Sequence, residues 1–219
     1  QVMNPEHVML HDQGDIHVHD MDFMNMGTLT CCQIDLSKLF KNGFSTGHGF
    51  LREPQDITSY GALAAIAIQS NQNDQHGGQS VPAFDYYLAP GVEKTFKKTY
   101  YANVRKAIEL LKGLEVDPTE DLKAIEIEHG VYPRITMPEK YLELQKEVLM
   151  SKYGVTEEQL AIVEKFAYDE TYKETDKKTY QAMEGFVHNL NTMHSRAGAQ
   201  VPFSSINFGT DTSEEGRMV

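Results

Sequence analysis

Cysteine is scarce in this chain of 219 residues: there are two, and they are neighbours, Cys31 and Cys32. Adjacent cysteines cannot close an ordinary long-range bridge within the chain, which excludes a disulfide-stapled scaffold, and reduced thiols fit a reducing compartment. Basic residues are also short. With 20 Lys and Arg against 32 Asp and Glu, the formal net charge is -12 at pH 7, which argues against a surface that coats nucleic acid by displacing counterions. A nucleotide still fits a local basic or backbone-lined site. No run of 18 apolar residues occurs, and the N-terminus lacks the basic-then-apolar order of a secretory signal. The chain therefore reads as soluble and cytoplasmic, without a membrane partner. Trp is absent and Pro is limited to 8; neither fact carries function on its own. The length suffices for one sizeable core, or for one domain with an appended subdomain.

What is present is concentrated near the N-terminus. The stretch Gly14-Asp-Ile-His-Val-His-Asp-Met-Asp22 precedes Cys31-Cys-Gln-Ile-Asp-Leu36. Period-2 alternation places His17 and His19 on one face of an extended segment and Asp20 and Asp22 on the other, and leads to a second apolar strand ending at Cys31. Imidazole, carboxylate and thiol on neighbouring strands are the makings of a reaction site. The plain alternative is a hydrogen-bonded strand end beside two ordinary buried thiols. His-x-His with an Asp is also a pair for a divalent metal in hydrolysis, although no third histidine cluster at ligand spacing accompanies it.

Farther along, Leu36 to Phe40 reads as a short helical turn that stops at Asn42-Gly43. Ser45-Thr-Gly-His-Gly49 bears glycines but lacks the Lys-Ser/Thr ending of a nucleotide P-loop, so it reads as a plain connection. Asp56 is the expected N-cap of a helix over Ile57 to Asn71. Within that helix Tyr60 to Ile68 is small or apolar around its whole circumference, so it must be covered either inside its own domain or against a twofold mate. Asn71 to Ser80 reads as a polar loop, and Phe84 to Lys112 as a helix interrupted near Ala89-Pro90-Gly91, with Tyr101, Val104, Ile108 and Leu111 in one stripe. Tyr141, Leu144, Val148 and Leu149 at helical spacing, and Thr156-x-x-Gln159 as a capping box, predict a charged, solvated helical subdomain. A long amphipathic helix through Tyr180, Met183, Phe186, Leu190 and His194 then runs to Gly198, and Gln200 to Phe208 alternates as a strand. The expected organisation is 1–112 with the first strands and helices, 113–178 as the helical subdomain, and 179–219 as a long helix and a strand. Together they give an α/β architecture in which distant strands meet in one sheet.

Six islands in a fixed order carry a resemblance. They are His19-Asp-Met-Asp22; Thr30-Cys-Cys-Gln-Ile-Asp-Leu36; Asn42-Gly-Phe44 leading to Glu53-Pro54; Gln75-His-Gly-Gly-Gln-Ser80; Leu88-Ala-Pro90; and the run from Asn189 to Thr210, closed by Gly216-Arg217. The set resembles the class III, anaerobic ribonucleoside-triphosphate reductases, members of the glycyl-radical enzymes. It spans the chain except for the acidic middle. The resemblance implies part of the ten-stranded α/β barrel of ribonucleotide reductases, with radical chemistry inside it. It also implies a helical homodimer interface near residues 57–68 and an allosteric site for dNTP and ATP effectors beside that interface. The implied reaction is anaerobic reduction of ribonucleoside triphosphates to deoxyribonucleoside triphosphates.

By the same resemblance, Cys31 supplies hydrogen and a proton toward the ribose 2′ position and then shares its electron-deficient sulfur with a reductant, formate in many members. Cys32 points to the opposite face. His19 binds substrate or formate, since a neutral imidazole both donates and accepts. Thr30, Gln200, Ser204 and Asn207 are the expected substrate contacts, and period alone leaves open whether Ser204 or Ser205 faces inward. Glu53 is the effector contact carried over from the family, with Gln69 and Lys98 added from polarity and helix phase. Family members continue for several hundred residues into a finger loop with the thiyl-radical cysteine, a four-cysteine zinc site and a glycyl-radical loop. The radical is installed there by a radical S-adenosylmethionine iron-sulfur activating enzyme. The chain is accordingly expected to be a fragment that is not competent alone and holds no metal of its own. Two rival readings stand beside this one: a non-catalytic nucleotide-binding dimerisation fragment, and a His-x-His metal-dependent hydrolase.

Overall fold

The computed structural model describes residues 3–18, 21, 31–47, 49–75, 77–194 and 201–219. The chain opens with α1 (Pro5–Gln13), where the Asn4 side chain accepts from Glu6 N. This helix was not expected. His17 follows it outside any helix or paired strand, its ring 5.5 Å from that of His11; His19, Asp20 and Asp22, the rest of the extended segment expected here, lie outside the described residues. β1 (Cys32–Gln33) begins one residue after Cys31, and α2 (Leu36–Asn42) starts at Asp35, whose Oδ1 accepts from Ser37 N. β2 (Phe44–Ser45) and β3 (Phe50–Leu51) form a small antiparallel pair across the glycine-bearing connection.

α3 (Ile57–Asp74) starts at Asp56 with a reciprocal capping box: Asp56 Oδ1 accepts from Ser59 N, and Ser59 Oγ accepts from Asp56 N. It runs three residues past Asn71, through a stretch whose composition reads as a loop, because the amides of its last turn find buried partners on the sheet. β4 (Gln79–Val81) then leads to α4 (Phe84–Lys112), which is unbroken through Pro90. A proline inside a helix costs about 3 kcal/mol. Phe84, Leu88, Val92 and Phe96 are all fully buried along α4, and each large apolar side chain removed from water contributes about 1.5 to 3 kcal/mol. The stripe outweighs the proline, and the expected interruption does not occur.

α5 (Thr119–His129), α6 (Glu139–Tyr153) and α7 (Glu157–Thr192) follow. The Thr156 capping box is formed. α7 passes through residues 178 and 179 without a break, and Leu122, Ile125, Tyr141, Leu149, Leu160 and Val163 belong to the same apolar core as Leu88 and Phe96. β5 (Ser204–Ile206) and α8 (Glu214–Met218) complete the described elements. The architecture is mixed α/β and mostly helical. Its main sheet has strand order β1-β4-β5, all parallel, with Cys32 opposite Gln79, Gln79 opposite Ser204 and Val81 opposite Ile206. α3 lies against α7 with little between them: a Cβ added at Gly61 would stand 3.2 Å from Ala182 O. The small-residue stripe of α3 is thus used for close packing inside the chain.

The return of β5 to β4 is fixed by one carboxylate. Asp85, in the first turn of α4, is 4% exposed. Its Oδ2 accepts from the backbone N–H groups of Gly209, Thr210 and Asp211 at 2.8, 2.9 and 3.1 Å, and its Oδ1 accepts from Tyr86 N at 2.9 Å. Burial pushes this carboxyl up, but the four N–H donors outweigh it and hold its pKa below the ordinary carboxylate value. Asp85→Ala leaves these donors without their acceptor and is expected to cost about 3 kcal/mol in urea unfolding at pH 7. Because the folded-state pKa is depressed, the carboxylate's contribution is full above the unfolded value near 3.9 and is lost as pH falls through the lower folded value. The stability gap between wild type and Asp85→Asn is therefore expected to narrow below about pH 4; a gap that stays constant from pH 7 to pH 3 contradicts this account.

Candidate functional site

The main sheet has two unlike faces. Side chains alternate along a strand, and the register places Cys32, Gln79 and Ser204 in one row and Gln33, Ser80 and Ser205 in the next. The first row faces the helices: Gln79 is 3% exposed, and Val81, two residues on, is fully buried. The second faces away from them, with Gln33 and Ser205 exposed and Ser80 half-buried. Cys31, Phe203 and Asn207 stand two residues from members of that second row and are also exposed. The open face thus carries a thiol, amides and hydroxyls drawn from three distant parts of the sequence.

Behind the sheet, a set of amides joins the last turn of α3 to β1 and β4. Asn71 Nδ2 donates to Gln79 Oε1 at 2.8 Å and to Cys32 Sγ at 3.0 Å, Gln79 Nε2 donates to Gln72 Oε1 at 2.9 Å, and Gln75 Nε2 donates to Gly78 O at 3.3 Å. A buried amide must be hydrogen-bonded to be tolerated, so these contacts fix where β1 and β4 stand. Sequence reasoning missed this function. The signal was the density of Asn and Gln between Gln69 and Gln79, too amide-rich for a solvated turn beside an apolar helix.

The two cysteines differ accordingly. Cys31 is exposed on the open face; Cys32 is half-buried, and its sulfur accepts the Asn71 hydrogen bond. His19, Thr30 and Gln200 lie outside the described residues. Ser204 sits in the helix-facing row, half-buried, and Ser205 on the open face beside Ser80. Asn207 is exposed just past β5.

The three expected effector contacts are not all brought together. Glu53 Oε1 accepts from Lys94 Nζ at 2.5 Å, and Lys94 also donates to Pro54 O at 3.0 Å and lies 5.5 Å over the Tyr60 ring. Burial pulls the Lys94 ammonium down, and Glu53 and Tyr60 more than compensate, so its pKa stands above the usual lysine value. Lys98 is exposed one turn farther along α4, at a cleft of about 620 Å³ lined also by Lys97, Arg105, Lys106 and Lys123 and by two carboxylates, Glu126 and Glu109, which pair with Lys97 at 2.7 Å and Arg105 at 2.9 Å. In a chain of net charge -12, its lining still carries more cations than carboxylates. Gln69 is elsewhere: it lies 12 residues into α3 from Ile57, about 18 Å along the axis. It is 7% exposed, and its Nε2 donates to Asn189 O at 3.0 Å, which ties α3 to α7. Among the described residues no three His, Cys, Asp or Glu side chains converge as a metal site, and no helix is long and apolar enough to cross a membrane.

A parallel sheet backed by helices on one face and presenting a thiol among polar side chains on the other defines an α/β protein whose open sheet face is its candidate site. Comparison with known proteins makes the class particular. The profile of the family Anaerobic ribonucleoside-triphosphate reductase matches residues 1–219, and the chain belongs to that family. It is 26% identical over 219 residues to the anaerobic ribonucleoside-triphosphate reductase of Enterobacteria phage T4, covering 99% of this chain and 27% of that protein. It is 25% identical over 213 residues to the same-named proteins of Salmonella typhimurium and of Escherichia coli, covering 97% of this chain and 22% of each. The chain therefore spans about a quarter of the length of the curated relatives it matches.

The unlike settings of the thiols give a direct check. With iodoacetamide under native conditions, Cys31 is expected to be alkylated about tenfold faster than Cys32, read by mass spectrometry of peptides from timed quenches, and Asn71→Ala is expected to narrow the ratio. Equal rates in the unaltered chain contradict the assignment of faces.

Proposed function

We propose that these residues form part of the catalytic barrel and the effector-facing helices of an anaerobic ribonucleoside-triphosphate reductase. The observation that carries the proposal is the open sheet face, where Cys31 stands beside the row of Gln33, Ser80 and Ser205. Helices wrap the outside of an α/β barrel, so the face they leave uncovered corresponds to the interior. In the order β1-β4-β5, β1 and β5 each keep a free edge among the described residues, which is where further strands of a ten-stranded barrel join.

On this reading Cys31 delivers the one hydrogen of its S–H toward the 2′ position, formate reduces the sulfur radical that remains, and Gln33, Ser80, Ser205 and Asn207 hydrogen-bond the sugar and phosphates. Ser205 takes the inward role because Ser204 shares the row of Cys32. Thr30 and Gln200 keep their proposed substrate contacts, and His19 holds substrate or formate. The glycyl radical, raised by a radical S-adenosylmethionine activating enzyme, supplies the one-electron oxidising power that starts the reaction; the exposed thiol and its polar neighbours fit such chemistry. An effector dNTP or ATP fits the cleft at Lys98, with Glu53 one turn away through Lys94. The homodimer is assigned to the side of α3 that carries the exposed Ala62.

In the full-length enzyme Cys31→Ser is expected to abolish deoxyribonucleotide formation, a loss of at least about 1,000-fold, while Cys32→Ser keeps turnover within about fivefold of wild type. Undiminished turnover by Cys31→Ser overturns the catalytic assignment. Calorimetric titration with dATP, dGTP and dTTP tests the effector reading separately. Glu53→Ala and Lys98→Ala are each expected to weaken binding about tenfold, the scale of losing one charge-assisted contact, and Gln69→Ala to lower stability without changing the affinity.

A further inference from the structure

We propose that Phe203, seated on Gly78 next to Cys31, is a substrate-contact residue whose ring packs against the ribose of the nucleotide. The inference rests on the open sheet face being the substrate surface. Stepping the register back by one residue aligns Cys31, Gly78 and Phe203, and the backbone pairing reaches that far: Cys32 N donates to Gly78 O at 3.2 Å and Gln79 N to Phe203 O at 3.0 Å. Neighbouring strands lie about 4.8 Å apart, so Gly78 is one strand spacing from Cys31.

The ring does not point away into solvent from its own strand. A Cβ added at Gly78 would stand 3.1 Å from Phe203 Cδ1 and 3.4 Å from Cε1, so one edge of the phenyl ring crowds the space that a side chain on β4 would fill, on the side of its own strand that faces β1. It is nonetheless 75% exposed. A large apolar ring beside a row of Gln33, Ser80 and Ser205 is a surface of two textures. A sugar has the same two textures, a C–H face and a rim of hydroxyls. Stacking on an aromatic plate would hold that face while the polar row takes the hydroxyls. Resting on Gly78, which lies one strand spacing from Cys31, the ring also keeps water from the carbon that Cys31 addresses.

The test uses the full-length enzyme, with steady-state kinetics on ribonucleoside triphosphates, equilibrium substrate binding, dNTP effector binding and thermal unfolding measured together for wild type, Phe203→Ala, Phe203→Leu and Gly78→Ala. Phe203→Ala is expected to raise KM and weaken substrate binding about tenfold with effector affinity unchanged. Gly78→Ala is expected to act in the same direction, because its new methyl displaces the ring, and Phe203→Leu to fall between. The leucine and Gly78 variants keep the bulk at this place and decide the matter if Phe203→Ala does not fold. Variants with wild-type KM and substrate affinity, or with lowered thermal stability alone, overturn the inference while leaving the reductase reading intact. A wild-type enzyme that reduces no ribonucleotide overturns that reading first, and the inference with it.

Discussion

The carboxylate of Asp85 holds together two ends of the chain that nothing local would join. Three of the four N–H groups that donate to it belong to residues 124 to 126 positions away, and closing so long a loop carries a real entropic cost. β5 has only three residues with which to repay it. A short parallel strand added at a sheet edge contributes few ladder hydrogen bonds, each worth about 1 kcal/mol net. The extra donors captured by a buried anion are stronger, and they act immediately after the strand, where the chain would otherwise peel away. Asp85 also begins α4, so the same group relates the longest core helix of the first half to the last strand of the sheet.

The helices between β4 and β5 supply the rest of that closure. α4 and α7 are 29 and 36 residues long, the latter about 54 Å at 1.5 Å per residue, and they pack against each other over much of their length. Their interface is not purely apolar: Asn103 Nδ2 donates to Thr171 Oγ1 at 3.1 Å, and Thr175 and Thr179 are fully buried beside it. Small polar groups permit close approach while fixing the register of two long helices, which an apolar seam alone would leave free to slide. Across the α4–α6 contact, Tyr100 and Tyr141 are fully buried with ring centroids 6.2 Å apart. Burial raises both phenols well above their usual range, so they stay neutral. The acidic middle of the chain is therefore charged on its outside only and shares one core with the rest.

What the sequence disclosed and what it hid divide along physical lines. Local signals were readable: the Asp56 and Thr156 caps, the stop at Asn42-Gly43, and the stripe of Tyr101, Val104 and Ile108 are set by residues within a turn or two of each other, while Leu111, expected in the same stripe, is exposed at the end of α4. Signals that depend on a distant partner were not. Pro90 reads as a break until the core that α4 buries is known, and Asn71 to Asp74 read as loop until Gln79 and Cys32 are seen to receive their amides. The same limit applies to the candidate site. Adjacency alone marked Cys31 and Cys32 as having opposite faces, but which face was open, and so which of Ser204 and Ser205 stands near Cys31, depends on β4 lying between β1 and β5. No local pattern in a three-residue strand encodes that order.

A parallel sheet is ordinarily covered on both faces, and here, among the described residues, the helices cover one. The face they leave bears Gln33, Ser80, Ser205 and Asn207 with the thiol of Cys31 and the ring of Phe203. A surface evolved only for water would have no use for a phenyl ring held over a glycine, and a surface meant for a protein core would not be lined with hydroxyls and amides whose hydrogen bonds must then be met. The combination fits a chamber in which a polar ligand supplies the missing partners and, by binding, displaces the water that would otherwise solvate them. It also accounts for the separation of the two thiols. Cys32, bonded to Asn71, helps to hold the strand against the helices, which leaves Cys31 free on the other side of the same backbone to meet whatever enters.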